Sequence, residues 1–194
     1  MNFEIKEYEA TLYEESKKAF QKIIKEQTDN QIYSLGFYTS GDSWGYLFPI
    51  VCTQKGIEEV ASQYKKDDYY KDKSISYLIN YLKWSPCDSP LHEEYLEELP
   101  KIEEMLVSVS EFMFQIYCDG QEEASASIEQ SLIQATIRVL IRLQEDGVFS
   151  SLDRSTFTVN LINGDQSNEE RLERAKMMNP KAVYEAYEND LRDI

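Results

Sequence analysis

The chain has 194 residues, 42% of them apolar and 29% charged, and its 36 Asp and Glu against 20 Lys and Arg leave a formal charge of −16. That length suits one compact core burying roughly 70% of the surface an unfolded chain exposes. The charge excludes the usual nucleic-acid binder and an attraction to anionic membranes, because both set Lys and Arg against phosphates, and 12% aromatic residues are too many for a disordered acidic tail.

In chain order, Leu12, Ala19, Phe20, Ile23 and Ile24 recur at helical spacing among Lys and Glu, which predicts an amphipathic helix over residues 5–27. Thr28-Asp29-Asn30 breaks it. Residues 32–38 and 46–52 are then rich in β-branched and aromatic side chains, and the turn-forming Ser40-Gly41-Asp42-Ser43 between them predicts an antiparallel hairpin. Pro49 lacks an amide hydrogen and so places the second strand at an edge or a bulge. Thr53 is placed to cap a helix burying Ile57, Val60, Ala61 and Tyr64, and residues 65–73 read as a polar connection. Ile75, Tyr77, Ile79 and Tyr81 alternate as in a strand, while Leu78 and Leu82 fit a helix; the alternation favours a strand over 75–84. Ser85-Pro86 and Ser89-Pro90 mark a loop.

Two stronger helices follow. The first starts at Pro100 and carries Ile102, Leu106, Val109, Met113 and Ile116, with Met105 and Phe112 widening the stripe; the second, over 122–146, has two adjacent apolar stripes, Ile128-Leu132-Ala135-Val139-Leu143 and Ile133-Ile137-Leu140. An arc that wide suits the central helix of a core, with Gly147 as its left-handed cap. A strand over 156–161, a turn at Asn163-Gly164-Asp165 and helices over 168–178 and 180–191 complete the chain. The expected fold is α+β, one domain over residues 1–194: an antiparallel sheet with helices packed mainly on one side.

The N-terminal segment carries Glu4, Glu7 and Glu9 where an export signal would be basic and then apolar. Apolar runs such as Val139-Leu140-Ile141 fall far short of the roughly 20 residues that cross a bilayer. Cys52, Cys87 and Cys118 are odd in number and widely spaced, so no disulfide framework and no Cys-x-x-Cys pair is available, and a soluble protein of the reducing cytoplasm is expected. Cys52, inside an apolar run, reads as a buried inert thiol.

Reactive chemistry has little to build on. His92 is the single histidine and stands beside Glu93 and Glu94, which suits an exposed position at a helix start better than a general base. There is no Gly-x-Ser-x-Gly elbow, no glycine-rich phosphate loop and no carboxylate spacing of a calcium loop. No catalytic residue, metal ligand or cofactor is therefore assigned. What stands out is the acidic run Glu93, Glu94, Glu97, Glu98, Glu103 and Glu104, whose four-residue spacing would cost a helix a few tenths of a kcal/mol per pair. It reads as a solvated face or as a docking surface for a basic partner, with Tyr69, Tyr70, Trp84 and Tyr95 as candidate aromatic anchors.

Five short motifs occur in order: Ile32-Tyr33-Ser34-Leu35-Gly36-Phe37-Tyr38-Thr39, Cys52-Thr53-Gln54-Lys55-Gly56-Ile57, Lys83-Trp84-Ser85-Pro86, Glu145-Asp146-Gly147-Val148-Phe149 and Met178-Asn179-Pro180. In this the chain resembles the bacterial family catalogued as domain of unknown function 4303. It departs from the family where a Glu-Trp pair commonly follows the Trp-Ser-Pro segment; here Ser89-Pro90-Leu91 stands instead. The resemblance implies a bacterial, cytoplasmic, single-domain protein and brings no catalytic residues. Negative charge without a catalytic grouping leads to the expectation of a non-catalytic protein-binding module, an immunity or antitoxin-like factor that meets a basic toxin domain. The alternatives are an enzyme using carboxylate and Tyr acid-base groups, which predicts convergent carboxylates in a pocket, and a DNA mimic, which predicts carboxylates spaced like phosphates.

Overall fold

The computed structural model describes residues 3–39, 44–164 and 166–192. Its elements run α1 (Ile5–Glu26), β1 (Ile32–Thr39), β2 (Leu47–Thr53), α2 (Gln54–Tyr64), α3 (Ile75–Leu82), α4 (Pro100–Cys118), α5 (Glu122–Glu145), β3 (Thr158–Asn163), α6 (Asn168–Met178) and α7 (Lys181–Arg192), with short 3₁₀ turns at Thr28–Asn30, Pro86–Asp88 and Leu96–Glu98. The expected hairpin turn Ser40-Gly41-Asp42-Ser43 and Asp165 of the later turn lie outside the described residues.

The apolar stripes read from the sequence build the main core. Leu12, Ala19, Phe20 and Ile23 of α1 join Ile102, Leu106, Val109 and Met113 of α4 and Leu132, Ala135, Val139, Leu140 and Leu143 of α5 in one cluster against the sheet. Burying such a side chain contributes about 1.5–3 kcal/mol. One polar pair sits inside it, Tyr8 and Thr136, sharing a hydrogen bond of 2.9 Å between α1 and α5. The cap after α5 is as expected: Gly147 has φ 74°, its amide donates to the Gln144 carbonyl and the Val148 amide to that of Leu143.

The sheet is mixed, and the expectation of a purely antiparallel one is corrected. Strand order is β2-β1-β3; β1 pairs antiparallel with β2, as the hairpin predicts, but parallel with β3. Four helices separate β2 from β3, and a connection that long lets the chain re-enter the sheet in either direction, which strand patterning does not encode. The α+β class stands, and Pro49 does lie on an edge strand. β3 also begins two residues later than expected. Asp153 accepts from the Ser155 amide and hydroxyl, and its carbonyl from the Thr156 amide, so residues 153–156 are committed to a turn.

Leu35, Phe37, Leu47, Val51, Val159 and Leu161 face the main core, while Tyr38, Phe48, Ile50 and Ile162 form a cluster on the opposite face. A register irregularity between Ile32 and Ser34 turns Tyr33 to that second face, where its hydroxyl donates to the Lys83 carbonyl at 2.7 Å. The shorter helices supply smaller clusters: Ile57, Val60 and Ala61 of α2 with Leu78 and Leu82 of α3, and Trp84 with Ala175 of α6 and Tyr187 and Leu191 of α7.

Residues 75–82 form a helix, not the expected strand. Ser74 caps it by accepting from the Tyr77 amide, and Leu78 and Leu82, four apart, are its buried pair. The alternating residues are not a sheet face: Ile75, Tyr77 and Tyr81 are exposed, and Tyr77 stacks on Tyr81 one helical turn later.

Candidate functional site

The acidic run occupies no single helix. Residues 91–95 are a turn, 96–98 a 3₁₀ turn, and Glu103 and Glu104 lie on α4. The like-charge helical penalty inferred from spacing therefore does not apply between Glu93 and Glu97 or between Glu94 and Glu98, and His92 is not at a helix start. What fixes the segment is Tyr95, only 2% exposed and packed in the main core. Its hydroxyl donates to a Glu26 carboxylate oxygen at 3.2 Å and accepts from the Gln27 amide at 2.9 Å. Leu99 is buried beside it in the core, and Ser89 Oγ donates to the Val51 carbonyl, tying the loop to β2. Glu15 of α1 accepts from the Lys101 and Ile102 amides, so the α4 N-terminus is satisfied across the interface. With these anchors inward, Glu93, Glu94 and Glu97 are left outward.

Beside β2 this produces a groove of about 330 Å³ lined by Tyr46, Leu47, Phe48, His92, Glu93, Leu96 and Glu103. Tyr46 and Leu96 are 40% and 42% exposed, large apolar areas left to solvent on an acidic rim. Tyr46 stacks on Phe48 at 5.6 Å, and His92 sets its edge against Tyr38 and Phe48 at 5.1 and 5.2 Å. Burial lowers the proton affinity of His92, opposed by the negative Glu93 and Asp88, and burial likewise raises the Tyr46 phenol, with Cys87 adding to the effect. Among the described residues the lining carries two carboxylates and no Lys or Arg. Such a wall of ring faces and acids complements a cation, which gains both ion pairing and attraction to the rings.

The predicted residues divide. Glu93 lines the groove, Glu94 and Glu97 are exposed, and Glu98 is engaged in an ion pair with Lys22 of α1. Tyr95 and Trp84 are corrections to the list of aromatic anchors: both are buried, Trp84 at 6% exposure, so neither presents a ring to a partner. Trp84 packs edge-on against Tyr187 at 4.5 Å and Tyr33 at 5.6 Å, and its indole N–H donates to Asp190. Tyr69 is 80% exposed and Tyr70 half-buried, but their ring contacts run to one another and to Tyr64 and Tyr81 of the α2–α3 unit, not to the acidic residues. Sequence reasoning missed Tyr46, Phe48 and Leu96. A signal existed in Tyr46 and Phe48, which alternate on a strand that Pro49 marks as an edge.

Cys52 is buried and its thiol pushed up to about 12 by desolvation, the inert role expected. Among the described residues no helix is long and apolar enough to cross a membrane, and no three His, Cys, Asp or Glu side chains gather as a metal-holding group.

The fold places the chain among α+β domains, here with a three-stranded mixed sheet and an acidic, aromatic-lined groove at its edge. More narrowly, the chain belongs to the domain of unknown function 4303 family, whose model, described as Domain of unknown function (DUF4303), matches residues 12–180. No curated protein and no solved structure matches it.

Proposed function

We propose that the protein is a non-catalytic binding module of immunity or antitoxin type, seating a Lys or Arg of a basic partner protein between the exposed Tyr46 ring, backed by Phe48, and the Glu93 and Glu103 carboxylates. The observation that carries this reading is the groove itself: the exposed Tyr46 ring edged by two carboxylates, with no cation among the described lining residues. Glu94 and Glu97, on the two successive turns beside the groove, extend the negative field and speed encounter with a basic surface, most strongly at low salt.

The test uses the intact chain and an amidated Arg- and Lys-rich peptide, followed by NMR shifts of the Tyr46, Phe48 and His92 rings. Binding that weakens about tenfold in the Glu93→Lys, Glu103→Lys double variant and with added salt is expected. Equal binding of an acidic peptide, or a double variant that binds the basic one unchanged, would remove the groove from the account.

A further inference from the structure

Tyr38, whose ring packs against Tyr46, Phe48 and His92 of the groove, also forms part of the wall of a second cavity of about 330 Å³. This one has the opposite electrostatic character. It opens where the parallel neighbours β1 and β3 both end, at Thr39 and Asn163, and where the chain leaving β3 turns into α6. Carboxyl ends of parallel strands form the crevice in which open α/β sheets hold ligands, because the following helix aims its N-terminal amides there.

In a chain with a formal charge of −16, the one charged side chain among the described residues lining this cavity is Arg171. Its guanidinium donates to the Trp84 carbonyl, and none of the ion pairs among the described residues uses it. Two further donors stand on the wall. Asn168 is the first residue of α6, and Gln166, whose oxygen accepts from Arg174, has a buried amide nitrogen with no hydrogen-bond partner. The rest of the described lining sets apolar surface from Tyr38, Trp84, Ile162 and Leu191 beside the polar Ser85 and Asn163. We infer that this cavity binds a small organic anion, a carboxylate or phosphate monoester on a flat apolar body, with Arg171, Gln166 and Asn168 holding the charged end and the half-buried Tyr38 ring flanking the body. This site is separate from the acidic groove, and it does not depend on the basic-partner reading.

Cys87 lines the cavity and is exposed, which provides a readout. In a Cys118→Ser background, with Cys52 buried, iodoacetamide labels Cys87, and an occupant of the cavity slows that labelling. Benzoate and phenyl phosphate are the two anionic probes; whichever protects at lower concentration identifies the preferred charged end, and benzylamine and benzyl alcohol are the cationic and neutral counterparts. Protection by an anion in the low millimolar range is expected, weakened about tenfold by Arg171→Gln. Asn168→Asp separates ligand binding from folding, since a carboxylate in the first turn favours α6 yet repels an anion in the cavity; it should keep thermal stability and lose protection. The inference is overturned if neither anion protects at about 20 mM, if benzylamine or benzyl alcohol protects equally well, or if Asn168→Asp protects as the parent does.

Discussion

Replacing Trp84 by Ala tests whether this ring is a packing element or a partner contact. The side chain is 94% removed from solvent, since its exposure is 6%, and it joins the α3–α4 loop to Ala175, Tyr187 and Leu191. Truncating a buried Trp to Ala costs about 3–5 kcal/mol in transfer and cavity terms. The edge-on contact with Tyr187 at 4.5 Å lies within the range where aromatic pairs add about 0.5–1.5 kcal/mol beyond area. Loss of the 3.2 Å bond to Asp190 adds little, because Asp190 keeps its ion pair with Lys83 at 2.6 Å. A total near 5 kcal/mol corresponds to a fall in Tm of about 10–20 °C for a domain of this size. Tyr69→Ala, at an exposed ring, should stay within about 0.5 kcal/mol of the parent. Urea unfolding and calorimetry on both variants decide it. A Trp84→Ala protein as stable as Tyr69→Ala would refute the packing argument and return Trp84 to the list of interface candidates.

Three further outcomes follow from particular contacts. Gly36 has φ 153° in the middle of β1, and a Cβ there would stand 1.8 Å from the Asn160 carbonyl oxygen on β3, so Gly36→Ala must open the parallel pair. Its cost should exceed the ~1–3 kcal/mol of backbone strain alone, and the expected result is loss of a cooperative thermal transition. In the capping box of α6, Ser167 Oγ accepts from the Glu170 amide while the Glu170 carboxylate accepts from the Ser167 amide, so Ser167→Ala should cost ~1 kcal/mol by urea titration. Burial holds the His92 pKa below its ordinary 6.5, against the pull of Glu93 and Asp88. A depressed imidazole contributes stability that is present above the unfolded value and lost as pH falls through the folded one. Between about pH 7.5 and about pH 5 the parent should therefore lose more stability than His92→Gln, and parallel slopes for the two would show the imidazole has no part in it.

Much of the local structure was legible because it depends on neighbours in sequence. The stripe of α1, the Thr53 cap, the edge position of Pro49 and the left-handed Gly147 all follow from periodicity or backbone chemistry that a few residues carry. The site was legible only in its charge. Glu93, Glu94 and Glu97 are solvent-facing as an acidic surface requires, but which aromatic rings stand beside them depends on the fold of a loop between two helices.

By itself, then, the sequence determined an acidic α+β domain of the 4303 family, its helical stripes, its hairpin and its lack of any familiar reactive motif. Tertiary structure alone decided that β3 runs parallel to β1, that 75–82 is helical, that Trp84 and Tyr95 turn inward, and that Tyr46 and Phe48 border the carboxylates. The physical reason is common to all four. Strand direction, the choice between two periodicities that fit the same ten residues, and the side of a loop on which a ring is buried are settled by free energy gained against distant segments. Composition and local pattern record none of those partners.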